Sequence, residues 1–349
     1  MIVLLIQPLI ISCLIALFIT PLTIALFRKM NWLEDPKLKS HPKVVHQYPV
    51  PRGGGIPIFL AILFTSFLFL SLDIHLKIIL LAGLINLIVG IIDDLFDISP
   101  YIRLITNLIS ALLIITSGIK IKFITNPLGG ILSLDQPILF FNLADLLTLI
   151  WIVWSINVVG WSGGVEGQLP GFVAIASLII GILSLRFSQD MTQWPVIILA
   201  GAVAGAYLGF LPFNFHPQKI MPGYSGKSLA GFFLAVLAIL SGAKLATVIL
   251  TLGVPMLDGA WAIIRRVKRG KLPVWGDAEH LHHLLLQVGL SQPLIAILYW
   301  LFSAILGLIV LHLNSKQKIY ALIMVTMGFA LLVTSLKALI KRNHSNFSA

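Results

Sequence analysis

Eleven apolar runs, each near the length needed to cross a bilayer, follow one another along this chain of 349 residues. They lie at 2–27, 54–72, 75–92, 102–118, 143–160, 169–186, 194–213, 226–241, 243–264, 293–313 and 318–340, the eighth being short. A hydrocarbon core is crossed by about 20 helical residues, and in lipid only a helix or a closed barrel satisfies every backbone N–H and C=O. The runs therefore predict an all-α polytopic membrane protein with about eleven transmembrane helices, forming one integral membrane domain over 1–349. A soluble globule is excluded, because 58% hydrophobic against 11% charged residues is more apolar surface than one core can hide. The single cysteine, Cys13, lies inside the first run and excludes an intrachain disulfide or a cysteine-based metal site.

The formal net charge of +11 has its explanation in the bilayer, not in nucleic acid, since Lys and Arg gather in cytoplasmic loops and face anionic lipid. Seventeen of the twenty-four basic residues fall on one side of the predicted topology; the other seven are Lys77, Lys120, Lys122, Arg186, Lys244, Lys316 and Lys318. This asymmetry predicts an amino terminus outside and a carboxyl terminus in the cytoplasm. The first run is followed by Arg28 and Lys29 and not by a small-residue cleavage site, so it reads as a retained helix. Outside, KIKFI and GILSL flank TNPLGG and predict a small surface hairpin.

The unusual polar motifs all fall on the cytoplasmic side: HPKVVHQYPVPRGGG (41–55), DDLFDISPYIRL (93–104), NVVGWSGGVEG (157–167), NFHPQKIMPGYSGKS (214–228) and RRVKRGKLPVWGDAEHLHH (265–283). Asp93, Asp94 and Asp97 end one apolar run. If its helix continues, Asp93 and Asp97 share a face, an arrangement that favours a divalent cation. Arg and Lys suit phosphates, and glycine lets a backbone approach a ligand closely. GYSGKS resembles part of a phosphate-binding loop, but the first glycine of that pattern falls at Met221 and no strand precedes it. His280, His282 and His283 lack standard zinc spacing and suit phosphate or base contact.

Taken together, these motifs resemble the polyprenyl-phosphate N-acetylhexosamine-1-phosphate transferase family over nearly the whole chain. The likeness rests on Asp35-Pro36 with His46 and PVPRGGG, on Asp93-Asp94 with Asp97 and SPYIRL, on Asn157 before a Gly-rich turn, on GFLPFNFHP, on VPMLD leading into IIRRVKRGKLP, and on HLHHLLLQVG. It implies transfer of sugar-1-phosphate from a UDP-sugar to a polyprenyl phosphate such as undecaprenyl phosphate, releasing UMP, in cell-envelope glycan synthesis. It further implies Mg²⁺ at Asp93 and Asp94 as catalytic and metal residues, and donor or lipid contacts from His46, Asp97, Asn157, Glu166, Asn214, Lys227, Arg265, Arg266, His280, His282 and His283. The partners it implies are the bilayer, the lipid phosphate and the UDP-sugar, and it admits a homodimer.

The chain departs from the family pattern where metal and nucleotide are concerned. The family's GDxGS turn, whose Asp is a metal ligand, reads Gly223, Tyr224, Ser225, Gly226, Lys227 here. The NxxNxxDGxDG segment reads Asn157, Gly160, Gly163, Gly164, Glu166, Gly167, losing one Asn and one Asp. These losses leave two expectations: a transferase with an altered site, or a non-catalytic relative that keeps the lipid groove for binding or regulation.

Overall fold

The computed structural model describes the chain except residues 37–47, 127–129, 136, 139, 140, 243, 244, 272–278, 348 and 349. His46 lies outside the described residues. All eleven apolar runs are helical over most of their described residues. Eight helices among the described residues are long and apolar enough to cross a membrane: α1 (Val3–Lys29), α3 (Ile74–Phe96), α5 (Leu143–Trp161), α6 (Gln168–Leu185), α7 (Trp194–Asn214 with its short 3-10 lead-in), α8 (Gly223–Leu240), α12 (Gln292–Val310) and α13 (Ser315–Phe347). A bent helix pair in the ninth run brings the number to as many as nine, and the two remaining runs form shorter apolar helices. α2 (Gly55–Phe69) and α4 (Pro100–Thr116) are apolar but have only 15 and 17 residues. At 1.5 Å per residue, α2 reaches about 23 Å, short of a bilayer core of about 30 Å.

The ninth run is not one straight helix. It breaks into α9 (Leu245–Thr251) and α10 (Gly253–Lys268), bent by 87°. Gly253 and Pro255 explain the break: proline has no N–H to continue the ladder, and its ring clashes with the carbonyl four residues earlier. The bend directs α10 so that its buried Asp258, Arg265 and Arg266 meet the short helix α11 (Leu281–Gln287).

α8 forms the hub of the bundle. Its residues from Ser228 to Ile239 are all buried, and α2, α3, α5 and α6 pack around it. Because lipid is as apolar as the helices, association depends on close packing and interhelical hydrogen bonds. Both are present. Gly201, Gly205 and Gly209 line one face of α7 at four-residue spacing, where a Cβ on Gly201 would stand 2.5 Å from the Leu5 carbonyl oxygen of α1. Ser12 donates to the Ala202 carbonyl at 2.6 Å, Asn86 to Ser110 at 2.8 Å, and Trp151 to the Ala235 carbonyl at 3.2 Å.

Beyond the helices, β1 (Leu33–Glu34) pairs antiparallel with β2 (Val50–Pro51) on the side of the polar motifs. At the opposite end β3 (Phe123–Thr125) pairs with β4 (Ile131–Ser133) in the register Thr125↔Ile131, which is the predicted hairpin, and β5 (Pro137–Ile138) pairs with β6 (Phe141–Asn142).

Candidate active site

The polar motifs converge where α3, α5, α7 and α10 end and α4, α6 and α8 begin. α3 stops at Phe96, and Asp97 adopts a left-handed conformation (φ 48, ψ 61) as its C-cap. Asp97 therefore leaves the helical face shared by Asp93 and its neighbours; Asp93 turns to Arg103, while Asp94 and Asp97 share Arg52.

Asp94 caps the N-terminus of α8. Its Oδ1 accepts from the Tyr224 N–H at 2.6 Å, and its Oδ2 accepts from the Ser225 N–H at 3.2 Å and the Ser225 hydroxyl at 2.6 Å. The first amides of a helix have no intrahelical partner and carry the positive end of its dipole, so a carboxylate is stabilised there. Gly223 makes the approach possible: its φ is +65, and any Cβ would run into the Asp94 carboxylate. Arg52 completes the fastening, with Nε 3.6 Å from Asp94 Oδ1 and Nη1 3.0 Å from Asp97 Oδ1 and 3.5 Å from Glu34 Oε1. Its segment is held against the approach to α8, since the Met221 N–H donates to the Pro51 carbonyl at 2.9 Å and the Gly54 N–H to the Met221 carbonyl at 3.0 Å.

Asp93, fully buried, accepts from Arg103 Nε at 2.6 Å through Oδ1. The Arg103 guanidinium lies 5.1 Å over the Tyr224 ring, and the Tyr224 hydroxyl donates to Asn107 Oδ1 at 3.2 Å. Arg52 and Arg103 stand in the sequence within PVPRGGG and SPYIRL, motifs that carry the family likeness without assigning either arginine a role.

A second group forms around Glu166. Its Oε2 lies 2.6 Å from His216 Nδ1 and accepts from the Gln218 N–H at 3.1 Å, while Tyr48 reaches Oε1 at 3.5 Å. Asn214 is structural here, accepting from the Gly167 N–H at 3.1 Å and donating to Gln218 Oε1 and the Ile220 carbonyl at 3.0 and 2.9 Å. Asn157, expected among the ligand contacts, donates to the Val153 carbonyl of its own helix at 2.8 Å.

The third group joins α10 to α11. Asp258 holds His280 Nδ1 at 2.8 Å and accepts from the Leu281 N–H at 2.9 Å. Arg266 stacks 4.9 Å over the Trp161 ring and approaches His280 Nε2 at 3.4 Å, and Arg265 donates to the Glu279 carbonyl at 3.1 Å. Hydrogen bonding from Arg269 holds Glu279 below the usual carboxylate range. His282, stacked 5.7 Å from His280 and tilted against His283 at 4.2 Å, presses on Gly164. Burial, then the neighbouring His283, His280 and Lys227, hold His282 well below the ordinary histidine value, and its Nδ1 has no hydrogen-bond partner among the described residues. Lys227, on the first turn of α8, has its Cβ 3.6 Å from where a Cβ on Gly160 would stand.

A hard divalent cation needs several charged oxygens with open lone pairs. Among the described residues the donor set does not fit Mg²⁺. Both Asp94 oxygens are committed to α8 and Arg52, both Glu166 oxygens to His216, Gln218 and Tyr48, and Asp258 to His280 and Leu281. Asp93 Oδ2 is unpaired but completely buried, and among the described residues no three acids or histidines converge on a metal position. Tyr224 offers only a neutral phenol.

An apolar bundle with buried carboxylates, arginines and histidines at one end suits an integral membrane enzyme acting on anionic groups at the lipid surface. Comparison with known proteins narrows the class. The glycosyl transferase family 4 profile matches residues 76–242. The chain is similar to the decaprenyl-phosphate N-acetylglucosaminephosphotransferase of Mycobacterium leprae (strain TN), at 30% identity over 330 residues, covering 85% of this chain and 80% of that one. It is also similar to the probable undecaprenyl-phosphate N-acetylglucosaminyl 1-phosphate transferase of Bacillus subtilis (strain 168), at 28% identity, covering 88% and 84%, and to the undecaprenyl-phosphate alpha-N-acetylglucosaminyl 1-phosphate transferase of Haemophilus influenzae, at 28% identity, covering 81% of each. The chain belongs to the polyprenyl-phosphate N-acetylhexosamine-1-phosphate transferases, a family of phosphoglycosyl transferases.

Proposed function

We propose that this protein transfers N-acetylglucosamine-1-phosphate from UDP-N-acetylglucosamine to a polyprenyl phosphate at the cytoplasmic face of the plasma membrane, releasing UMP for cell-envelope glycan synthesis. The observation that carries the reading is the basic, histidine-bearing end of the bundle in a chain whose relatives are named for this transfer. An oxygen of the lipid phosphate attacks the phosphorus that bears the sugar. The bond from that phosphorus to the bridging oxygen breaks, and UMP leaves with the electron pair. The attacking phosphate is already an anion, so no base is required. Arg265, Arg266 and the histidines are suited to hold donor phosphates and sugar, and phosphoryl transfer depends chiefly on such positioning and charge stabilisation. Asp94 serves as a positioning residue through α8 and Arg52. The charge asymmetry supports an external amino terminus and a cytoplasmic carboxyl terminus.

The test is purified protein incubated with undecaprenyl phosphate and UDP-N-acetylglucosamine, following UMP and the lipid-linked sugar together. Stoichiometric appearance of both is expected. Neither product across several UDP-sugars would overturn the assignment.

A further inference from the structure

We infer that the end of the bundle opposite the candidate active site carries a second binding site, which takes the phosphate headgroup and one acyl chain of an anionic phospholipid. A half-enclosed cavity of about 760 Å³ lies there, beside the β3–β4 hairpin and between the ends of α6 and α8, α9 and the start of α13. Two cations line it. Arg186, the C-cap of α6, gives a guanidinium N–H to the Leu311 carbonyl, and the half-buried Lys318 on the first turn of α13 donates to the buried Thr247 hydroxyl at 3.0 Å. Both charged heads are therefore placed by protein acceptors, and neither is ion-paired among the described residues. A guanidinium carries five N–H donors and an ammonium three, so each keeps donors for an anion. Asp190, the one acid among the described lining residues, is exposed and accepts from the Thr192 N–H at 2.9 Å.

The remaining lining is mainly apolar, and it decides what kind of anion fits. Leu250 and Leu322 line the cavity and pack with Leu183, Val310 and Leu311 in a small apolar cluster separate from the main core. At the rim, Ile124 and Ile319 are 38% and 39% exposed. A water-soluble anion makes no use of these surfaces, whereas an acyl chain covers them, each buried methylene adding to its affinity. The depth also matches. The membrane-spanning part of α6 ends at Leu185, just before Arg186, and that of α13 begins at Ser315, just before Lys318. The two cations thus stand where basic side chains meet lipid headgroups, with the apolar lining beside them. A lipid seated there ties α6, α9 and α13 together without touching the candidate active site, so this site stands whether or not the protein is a transferase.

The experiment uses the full chain, purified in detergent and stripped of lipid, and reads the lipid retained per chain by native mass spectrometry. The probes are phosphatidylglycerol and phosphatidylcholine with the same acyl chains, and inorganic phosphate as the anion without a chain. One phosphatidylglycerol per chain, held about tenfold or more tightly than phosphatidylcholine, is expected. Arg186→Gln combined with Lys318→Gln should bring phosphatidylglycerol down to the level of phosphatidylcholine. Ala246→Trp fills the cavity from an exposed position on α9 with both charges kept, and it should also abolish the tight site. Lys122→Gln removes an exposed cation next to β3 that is not among the lining residues, and it should change nothing. Equal retention of the two lipids, an equal loss in Lys122→Gln, or a tight site that survives Ala246→Trp would each overturn the inference. Displacement of the lipid by millimolar inorganic phosphate would overturn it in favour of a free anion. Should the double variant fail to fold, Ala246→Trp and Lys122→Gln decide the question, provided that both unfold at the temperature of the natural chain.

Discussion

At the scale of single residues, the chemistry is governed by how buried charges are balanced. Asp93 has no exposed surface and one cationic partner at 2.6 Å. Removing Arg103 leaves that carboxylate uncompensated, and breaking such a pair costs about 3 kcal/mol or more. Arg103→Met should therefore lower the unfolding temperature in detergent by several degrees, and adding Asp93→Asn should recover much of the loss. An additive double variant would show that the pair is not coupled. His282 gives a second prediction, with a definite sign. Its folded-state pKa is depressed below the ordinary histidine value of about 6.5, so below that pH the unfolded chain binds a proton that the folded chain refuses. Stability should fall as pH drops below about 6.5, and His282→Gln should flatten that dependence in thermal unfolding between neutral pH and pH about 5. The sequence offered the identities of these residues but not their pairings. Asp93 and Asp94 are adjacent, yet one turns to Arg103 on the following helix and the other to α8, 130 residues away along the chain. Spacing along a helix carries no information about a partner contributed by a distant element.

At the scale of elements, the apolar runs and the β3–β4 hairpin could be read directly, because hydropathy and strand-turn-strand patterning are local. The α9–α10 break could not, although Gly253 and Pro255 were its signal; a window average hides a proline that lies within an apolar run. Asp258 was missed for the same reason. It appeared only as the end of VPMLD, whereas the bend makes it the anchor of His280. The junction between α3 and α8 yields a prediction of its own. Gly223→Ala places a Cβ into the Asp94 carboxylate at a positive φ, and such strain costs about 1–2 kcal/mol before any capping loss is added. The variant should unfold at lower temperature and bind UDP more weakly. Unchanged UDP affinity would separate α8 capping from the binding site.

At the scale of the whole molecule, orientation follows from charge. Ser291 is the exposed N-cap of α12, while Ser133 is exposed on β4 at the opposite end of the bundle. In a Cys13→Ser background, Ser133→Cys should react with an impermeant thiol reagent in intact cells, and Ser291→Cys only after the membrane is opened. Reversed labelling would invert the topology. The capping of α8 by Asp94 also bears on how the protein comes apart. The N-terminus of the helix that fills the middle of the bundle and the Arg52 segment share that one carboxylate. A solvent or detergent that loosens this junction is expected to slacken both. Ligand release and collapse of the bundle should accordingly coincide on a heating curve, and a bound nucleotide should act as a brace for the membrane interior as well as for the loops that touch it.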